Sequence, residues 1–241
     1  MLEATAQHGV WEWLKHRGDL VTSAIARKLI DSVILQQAPQ AAARTSAVEP
    51  RLQRVLTAFA EERLGTQHCA SLTGYGHGDQ GRDLVDRVFA RVLGAEAAAV
   101  RMQFVSGTHA ITAALFGVLR PGDRLLSITG RPYDTLEDVI GLRGTDQGSL
   151  ADFGIDYDEL PLTPGGAVDR VGLDHALALP QRMVLIQRSC GYSWRPSLTV
   201  KEIGELCALI HARQPNCICF VDNCYGELVQ DCEPPEVGAD L

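Results

Sequence analysis

The spacing of hydrophobic residues divides this chain into two regions. Over residues 2–64 apolar positions recur at intervals of three and four, in LVTSAIARKLIDSVILQ and AVEPRLQRVLTAFAEERL, which predicts amphipathic helices. Pro39 and Pro50 punctuate this region, and Pro50 suits the first turn of a helix. We therefore predict an N-terminal helical arm over residues 1–65.

Beyond residue 94 apolar strand patterns alternate with helical ones. A helix, RDLVDRVFARVLG, precedes this region and is closed by Gly94. The predicted strands are AAAVRMQFV, RLLSIT, IDYDELPL, RMVLIQRS and CICFVDN. Apolar strands separated by helices are typical of a parallel sheet covered on both faces. We therefore predict an α/β fold over residues 66–241, with its ligands at the carboxyl ends of the strands.

A loop with five glycines, residues 65–81, separates the two regions. Its GYGHGDQG segment matches the G-x-G-x-x-G pattern of dinucleotide-binding folds. The preceding QHCASLT is polar and short, however, and no acidic residue ends a second strand about twenty residues later, as that fingerprint requires. A nicotinamide-dependent oxidoreductase is therefore the weakest of the alternatives.

Composition and charge narrow the class of protein. The 46% apolar and 22% charged residues are ordinary for a soluble globular protein, and an excess of acids, 30 against 22 basic residues, argues against nucleic-acid binding. The sequence contains no run of eighteen apolar residues, so it predicts no membrane span, and the N-terminus does not resemble a secretory signal. Seven cysteines, an odd number, favour reduced thiols and a cytoplasmic location.

Four cysteines near the end of the chain raise the question of a metal site. Their spacing, C-x-C-x4-C-x7-C, matches no common structural zinc pattern. Cys217 and Cys219 would point to the same face of one strand, as buried packing thiols do. We therefore predict no metal site.

The first candidate for ligand chemistry is FVSGTHA, where a predicted strand runs into a helix through Ser106, Gly107 and Thr108. Free N–H groups at a helix start, together with the helix dipole, attract anions such as phosphate. A simple Ser or Thr N-cap explains the same residues. Both interpretations remain open on this segment alone.

Three further strand ends carry polar or aromatic residues. Tyr133, in TGRPYDT, can stack on a planar ligand or belong to an ordinary turn. Arg188 and Tyr192, in LIQRSCGYSWRPS, indicate either a ligand-facing loop or a surface loop. Asp222 ends CICFVD, where a carboxylate needs a cation or several donors, or else caps a helix.

In this order, the segments resemble one known family. SLTGYGHGDQGRD, QFVSGTHAITAALFGVLRPGD, GRPYDTLEDVIGLRG, VLIQRSCGYSWRPSLT and CFVDNCYGE resemble pyridoxal-phosphate enzymes of the aspartate-aminotransferase fold. Within them the chain is most similar to the cystathionine lyase and methionine gamma-lyase branch, and to its aluminium-resistance group. The resemblance spans residues 68–241, and the first sixty residues match only as a helical arm.

The resemblance implies pyridoxal 5'-phosphate as cofactor. The N–H groups of Gly107 and Thr108, with the hydroxyls nearby, would cradle its phosphate. Tyr133 would stack on its ring, and Asp222 would pair with the protonated pyridine nitrogen. Tyr75 would reach the phosphate of a neighbouring subunit, so the resemblance also implies a homodimer or homotetramer.

For other residues the match to the family is weaker. Arg188 and Tyr192 fall where relatives place groups around the cofactor oxygen and the substrate. Cys190 stands where the nearest group has an arginine, a departure that alters this loop. The only lysines are Lys15, Lys28 and Lys201, whereas the family's Schiff-base lysine follows the aspartate by about twenty-five residues.

We therefore expect the Schiff-base lysine beyond Leu241, and the C-terminal small domain to be absent from these residues. The implied function is carbon–sulfur lyase activity on a sulfur amino acid such as cystathionine or methionine, by beta- or gamma-elimination of a thiol. We expect the 241 residues alone to bind the cofactor weakly and not to turn over. The alternative is a catalytically inactive relative that acts as a binding or stress-response protein.

Overall fold

The computed structural model of the protein describes residues 24–71, 78–144 and 148–241. The chain divides into two compact units, one ending at Gln53 and the other running from Arg54 to Leu241. Helix α1 (Ala24–Ser46) lies in the first unit, and α2 (Val48–Glu61) begins there with Pro50 in its first turn, as predicted. Pro39 lies inside α1, which continues through it at an exposed position instead of ending there. The predicted division at residue 65 stays a prediction.

The second unit alternates helices and strands. After α2 its elements are a 3-10 turn (Thr66–Cys69), α3 (Gln80–Leu93), α4 (Gly107–Val118), β1 (Arg124–Ser127), α5 (Asp134–Ile140), β2 (Asp156–Glu159), α6 (Arg170–Ala176), β3 (Met183–Gln187), α7 (Val200–Arg213), β4 (Ile218–Asp222) and a second 3-10 turn (Pro234–Val237). Gly94 closes α3 in the left-handed conformation, with φ of 66°, as predicted. No helix in the described ranges is both long enough and apolar enough to cross a membrane.

The four strands form one parallel sheet in the order β2-β1-β3-β4. This confirms the predicted α/β class with a parallel sheet. The register places Gln187, the last residue of β3, beside Asp222, the last residue of β4. The carboxyl ends of these two strands therefore meet at one edge of the sheet, which is where ligands of such folds bind.

The side chains of successive strand residues pack alternately into two separate hydrophobic cores. Leu125 and Leu185 pack on one face with residues of α4 and α5, whereas Leu126 and Ile186 pack on the other with residues of α6 and α7. Burial on both faces explains why these strands are apolar throughout. The second core also holds Cys207, Cys217 and Cys219, which confirms the prediction that the latter two are buried packing thiols.

The strand predicted for AAAVRMQFV does not form. Residues 97–105 are irregular, because the N–H of Val100 donates to Asp86 Oδ1 at 2.7 Å and the N–H of Phe104 donates to the carbonyl of Arg101 at 3.1 Å. Met102 and Val105 remain 96% and 82% exposed. The strand prediction was therefore wrong here, because hydrogen bonds to other groups occupy the N–H groups of Val100 and Phe104 that a sheet would use.

Leu185 provides a test of the buried sheet. It is 1% exposed and packs in the core with α4 and α5, so Leu185→Ala should lower the free energy of unfolding by about 3 kcal/mol, measured in urea. Leu179→Ala, at a position that is 52% exposed, is the matched control and should cost less than about 1 kcal/mol. Equal losses in the two variants would contradict the packing described above.

Candidate functional site

The start of α4 and the ends of β1 and β4 converge at the carboxyl edge of the sheet. The Tyr133 hydroxyl, which follows β1, donates to Thr108 Oγ1 at 3.4 Å. The pKa of Tyr133 is raised chiefly by burial, and the charge of Asp222 contributes to the same rise. The structure therefore brings Thr108 and Tyr133 into contact, and Asp222 at the end of β4 contributes its charge to the surroundings of Tyr133.

The start of α4 combines a cap with free donors. Ser106 Oγ accepts the N–H of His109 at 3.1 Å, so Ser106 is the N-cap. The N–H groups of Gly107 and Thr108 have no acceptor within the described residues. A Cβ placed on Gly107 would meet no atom within 4 Å, so the space in front of this backbone is open. The segment is both an N-cap and a place where an anion can approach two N–H groups.

Tyr133 precedes α5 and is half-buried. Its hydroxyl is fixed by Thr108, whose own Oγ1 lies 2.9 Å from Thr135 Oγ1. Burial raises the pKa of Tyr133, so the phenol is neutral at physiological pH. A neutral ring held at its hydroxyl can serve as one wall for a planar ligand.

Asp222 is the most unusual group at this edge, since it is only 8% exposed. Its Oδ1 accepts the N–H of Cys224 at 3.1 Å, and no Lys, Arg or His in the described parts of the chain forms an ion pair with it. Burial raises the pKa of Asp222, the N–H of Cys224 lowers it, and the charge of Glu227 raises it further. A buried carboxylate of this kind lacks a cationic donor, which is what a protonated pyridine nitrogen supplies.

The guanidinium of Arg188 is buried and is hydrogen-bonded to acceptors of the protein itself. It is 4% exposed and donates to the carbonyl of Leu198 at 3.2 Å, Asn223 Oδ1 at 2.7 Å, the carbonyl of Gly226 at 2.8 Å and Gln230 Oε1 at 3.0 Å. All four acceptors are neutral, and three of them belong to the segment after β4. The predicted role of Arg188 beside the cofactor oxygen stays a prediction. Its hydrogen bonds fix the segment after β4.

Of the other two tyrosines singled out from the sequence, the structure describes Tyr192. Tyr192 is 99% exposed, in a loop that Arg195 fixes by donating to the carbonyls of Gln187 and Ser189. Tyr75 lies outside the described residues. The predicted contacts of both with cofactor, substrate or a neighbouring subunit stay predictions.

A second cluster of potential ligand atoms lies at the other end of β4. His211, Cys219 and Asp240 bring one donor atom each within 4.8 Å of the others. Asp240 Oδ2 accepts the N–H of Cys219 at 2.8 Å and lies 3.0 Å from His211 Nε2, so hydrogen bonds account for the arrangement. Spacing in the sequence missed this group because its members come from three separate segments.

Sequence reasoning also missed Thr135, Asn223 and Glu233. Thr135 contacts Thr108, and Asn223 and Glu233 are joined by a hydrogen bond of 3.0 Å from Asn223 Nδ2 to Glu233 Oε2. Only Asn223 carried a usable signal, since it directly follows the strand-end aspartate. Glu233 is completely buried although it lies in a polar stretch, EPPE, that predicts an exposed turn.

Comparison with known proteins identifies the family. The methionine gamma-lyase family matches residues 26–241. This chain belongs to that family. The Bacillus subtilis (strain 168) protein YnbB is 49% identical over 189 residues, which cover 78% of this chain and 45% of YnbB.

Solved structures of similar proteins agree with this assignment. A Listeria innocua protein described as a candidate cystathionine beta-lyase involved in aluminum resistance is 46% identical, with a TM-score of 0.84 over 89% of this chain and 52% of its own. A carbon–sulfur lyase involved in aluminum resistance from Clostridium novyi NT is 40% identical, with a TM-score of 0.87 over 100% of this chain and 56% of its own. This chain of the methionine gamma-lyase family thus spans about half the length of these relatives.

A more distant structure shows how widely the fold is shared. The pyridoxal-5'-phosphate dependent protein YhfS from Escherichia coli is 20% identical, with a TM-score of 0.57 over 80% of this chain. At this identity the likeness concerns the fold alone. The predicted resemblance to the cystathionine lyase and methionine gamma-lyase family is confirmed, and so is an α/β fold with a parallel sheet.

The burial of Asp222 predicts how stability depends on pH. A carboxyl pKa that is higher in the folded protein than in the unfolded chain makes folding less favourable as pH rises and the group ionises. Asp222→Asn should therefore raise the free energy of unfolding of the ligand-free protein at pH 7, and the gain should shrink as pH falls toward 4. Urea unfolding over this pH range measures the difference.

Asp138→Asn, at an exposed position in α5, is the matched control and should change the free energy of unfolding little at either pH. A loss of stability in Asp222→Asn at pH 7 would show that the carboxylate has a stabilising partner.

Proposed function

We propose that this chain provides the pyridoxal-phosphate-binding part of a carbon–sulfur lyase that acts on a sulfur amino acid. The observation that carries the proposal is the buried Asp222, a carboxylate with one N–H partner and no cationic partner in the described residues. The family assignment and the names of the relatives support the reaction class.

The residues present fit the three parts of this cofactor. The free N–H groups of Gly107 and Thr108, with the nearby Ser106 hydroxyl, would bind the phosphate. The Tyr133 ring would lie against one face of the pyridine. The Asp222 carboxylate would hold a proton on the ring nitrogen, because a charge-assisted bond in a buried site is strong.

When bound at these residues, the cofactor would supply an electron sink that makes the proton on the substrate alpha carbon acidic. The chain's own contribution is positioning and charge. Asp222 would keep the ring nitrogen protonated, the start of α4 would anchor the phosphate, and Tyr133 would exclude water from one face of the ring. Removal of the alpha proton would then lead to loss of a thiol from the beta or gamma carbon.

The proposal also covers the assembly, the location and the lysine that transfers protons. We propose a homodimer or homotetramer in which Tyr75 serves a neighbouring subunit, acting in the cytoplasm on substrates such as cystathionine or methionine. Lys28 and Lys201, the lysines in the described residues, lie exposed in α1 and in the first turn of α7. No hydrogen bond or ion pair joins Lys201 to the residues named above in the described part of the chain, so we propose that a lysine of another segment transfers the proton.

A cofactor analogue without the aldehyde tests the site independently of any lysine. The protein should bind 4'-deoxypyridoxine 5'-phosphate, and Asp222→Asn should weaken binding about tenfold or more because a charge-assisted hydrogen bond is lost. Equilibrium dialysis with fluorescence detection of the analogue measures the dissociation constants.

Asp138→Asn should bind the analogue as the native protein does, since its carboxylate is exposed. Equal affinities for native protein and Asp222→Asn would reject the assignment of the carboxylate. Retained analogue binding without release of a thiol from cystathionine or methionine, in a protein that also carries the proton-transferring lysine, would favour the inactive relative instead.

A further inference from the structure

Two opposite charges are buried close to Asp222 without touching each other. Arg188 is 4% exposed and Glu233 is 0% exposed. No ion pair within 4.0 Å joins them, and neither pairs with another charged side chain in the described residues. A buried charge is costly unless hydrogen bonds or a partner compensate it, so Arg188 and Glu233 depend on the polar groups that lie between them.

The side-chain amide of Asn223 connects the two charges. Its Oδ1 accepts from Arg188 Nη1 at 2.7 Å, and its Nδ2 donates to Glu233 Oε2 at 3.0 Å. This orientation is the only one that satisfies both neighbours, because the cation needs an acceptor and the carboxylate needs a donor. The amide dipole is thereby aligned between a positive and a negative charge.

The same two charges also hold the backbone of the segment after β4. Arg188 donates to the carbonyl of Gly226 at 2.8 Å, and Glu233 Oε1 accepts the N–H of Leu228 at 2.7 Å. Tyr225 and Leu228 have φ of 67° and 56°, a left-handed conformation that such residues adopt only when their surroundings impose it.

Gly226 shows how closely this segment is fitted to Arg188. A Cβ added at Gly226 would lie 2.4 Å from Arg188 Nη1 and 2.6 Å from Asn223 Oδ1. Any side chain at this position would therefore displace the hydrogen bonds between Arg188 and Asn223. The strained segment and the buried side chains form one fitted unit.

This unit bears directly on Asp222. The N–H of Arg188 donates to the carbonyl of Asp222 at 3.0 Å, and Asn223 is the next residue in the chain. Cys224, whose N–H is the partner of Asp222 Oδ1, begins the segment that Arg188 and Glu233 hold. Movement of the segment would remove this bond and admit water to the carboxylate.

We propose that Arg188, Asn223 and Glu233 form a positioning relay, in which the amide of Asn223 joins two buried charges and fixes the 224–230 segment so that Asp222 stays aimed at the cofactor ring. The proposal rests on the proposed function, since it assigns these residues to the same site. None of the three would touch the reacting atoms. They act through Asp222 and are positioning residues.

Two substitutions of Asn223 test whether its hydrogen bonds to Arg188 and Glu233 are both needed. Asn223→Leu removes both hydrogen bonds, and Asn223→Asp keeps an acceptor for Arg188 but replaces the donor to Glu233 with a negative charge. Asn216→Leu, at an exposed asparagine near the start of β4, is the matched control. If Asn223→Leu does not fold, Asn223→Asp carries the test alone.

The first measurement uses the protein without any ligand. Hydrogen exchange of the Cys224 and Leu228 amides should accelerate about tenfold or more in both Asn223 variants, while the amides of β1 and β3 keep their protection. The control should match the native protein throughout. Unchanged exchange at Cys224 and Leu228 would overturn the relay.

The second measurement distinguishes positioning of Asp222 from a merely structural role. We expect both variants to bind 4'-deoxypyridoxine 5'-phosphate about tenfold more weakly, and the pKa of the bound ring nitrogen, read from the pH dependence of its absorbance, to fall. Faster exchange with unaltered affinity and ring pKa would overturn the link to Asp222.

If the native protein binds no analogue, the proposed function fails and the relay is decided separately. An NMR titration of the Asp222 carboxyl should then show a pKa lower in Asn223→Leu than in the native protein, because water reaches the group. An unchanged pKa would overturn the relay in that case as well.

Discussion

The structure depends on keeping an ionisable carboxylate in a place where water does not reach it. Asp222 ends the apolar strand β4, and its burial raises its pKa because one backbone N–H cannot replace a hydration shell. A protein optimised for stability alone would place an apolar or amide side chain there. Stability given up at one residue in this way is typical of binding and catalytic sites.

The parallel sheet is what turns scattered residues into a site. Thr108, Tyr133 and Asp222 are far apart in the chain, but each lies where a strand or irregular segment meets the carboxyl edge. In-register pairing of β3 with β4, and of β1 with β3, fixes the heights at which these segments emerge. The two cores on either face of the sheet then hold that register, since a shift by one residue would exchange the faces.

Buried polar groups have a different task from the apolar cores. The cores supply stability in proportion to the area they bury, whereas Arg188, Asn223 and Glu233 specify one conformation of one segment. Their hydrogen bonds compensate buried charge and impose left-handed backbone at Tyr225 and Leu228. An apolar replacement of this network would satisfy the energetics of burial but would leave the segment beside Asp222 free to choose other conformations.

The sequence by itself determined the elements whose signals are local. Apolar runs predicted β1, β3 and β4, and helical spacing predicted α3, α4 and α7. Gly94 marked the end of one helix and Ser106 the start of another. Asp222 could be placed at a strand end because a polar residue ends an apolar run. The order of the motifs was specific enough to indicate the family.

Only the tertiary structure decided which groups face one another. Residues 97–105 carry a strand-like pattern, yet local bonds to Asp86 and Arg101 keep them out of the sheet. The guanidinium of Arg188 donates to acceptors up to 42 residues away, which no local pattern indicates. The burial of Glu233 follows from an amide ten residues earlier. The periodicity of hydrophobic residues is a property of short segments, so it can be read from the sequence. The hydrogen bonds that compensate a buried charge come from whichever groups the fold brings within about 3 Å, so they cannot.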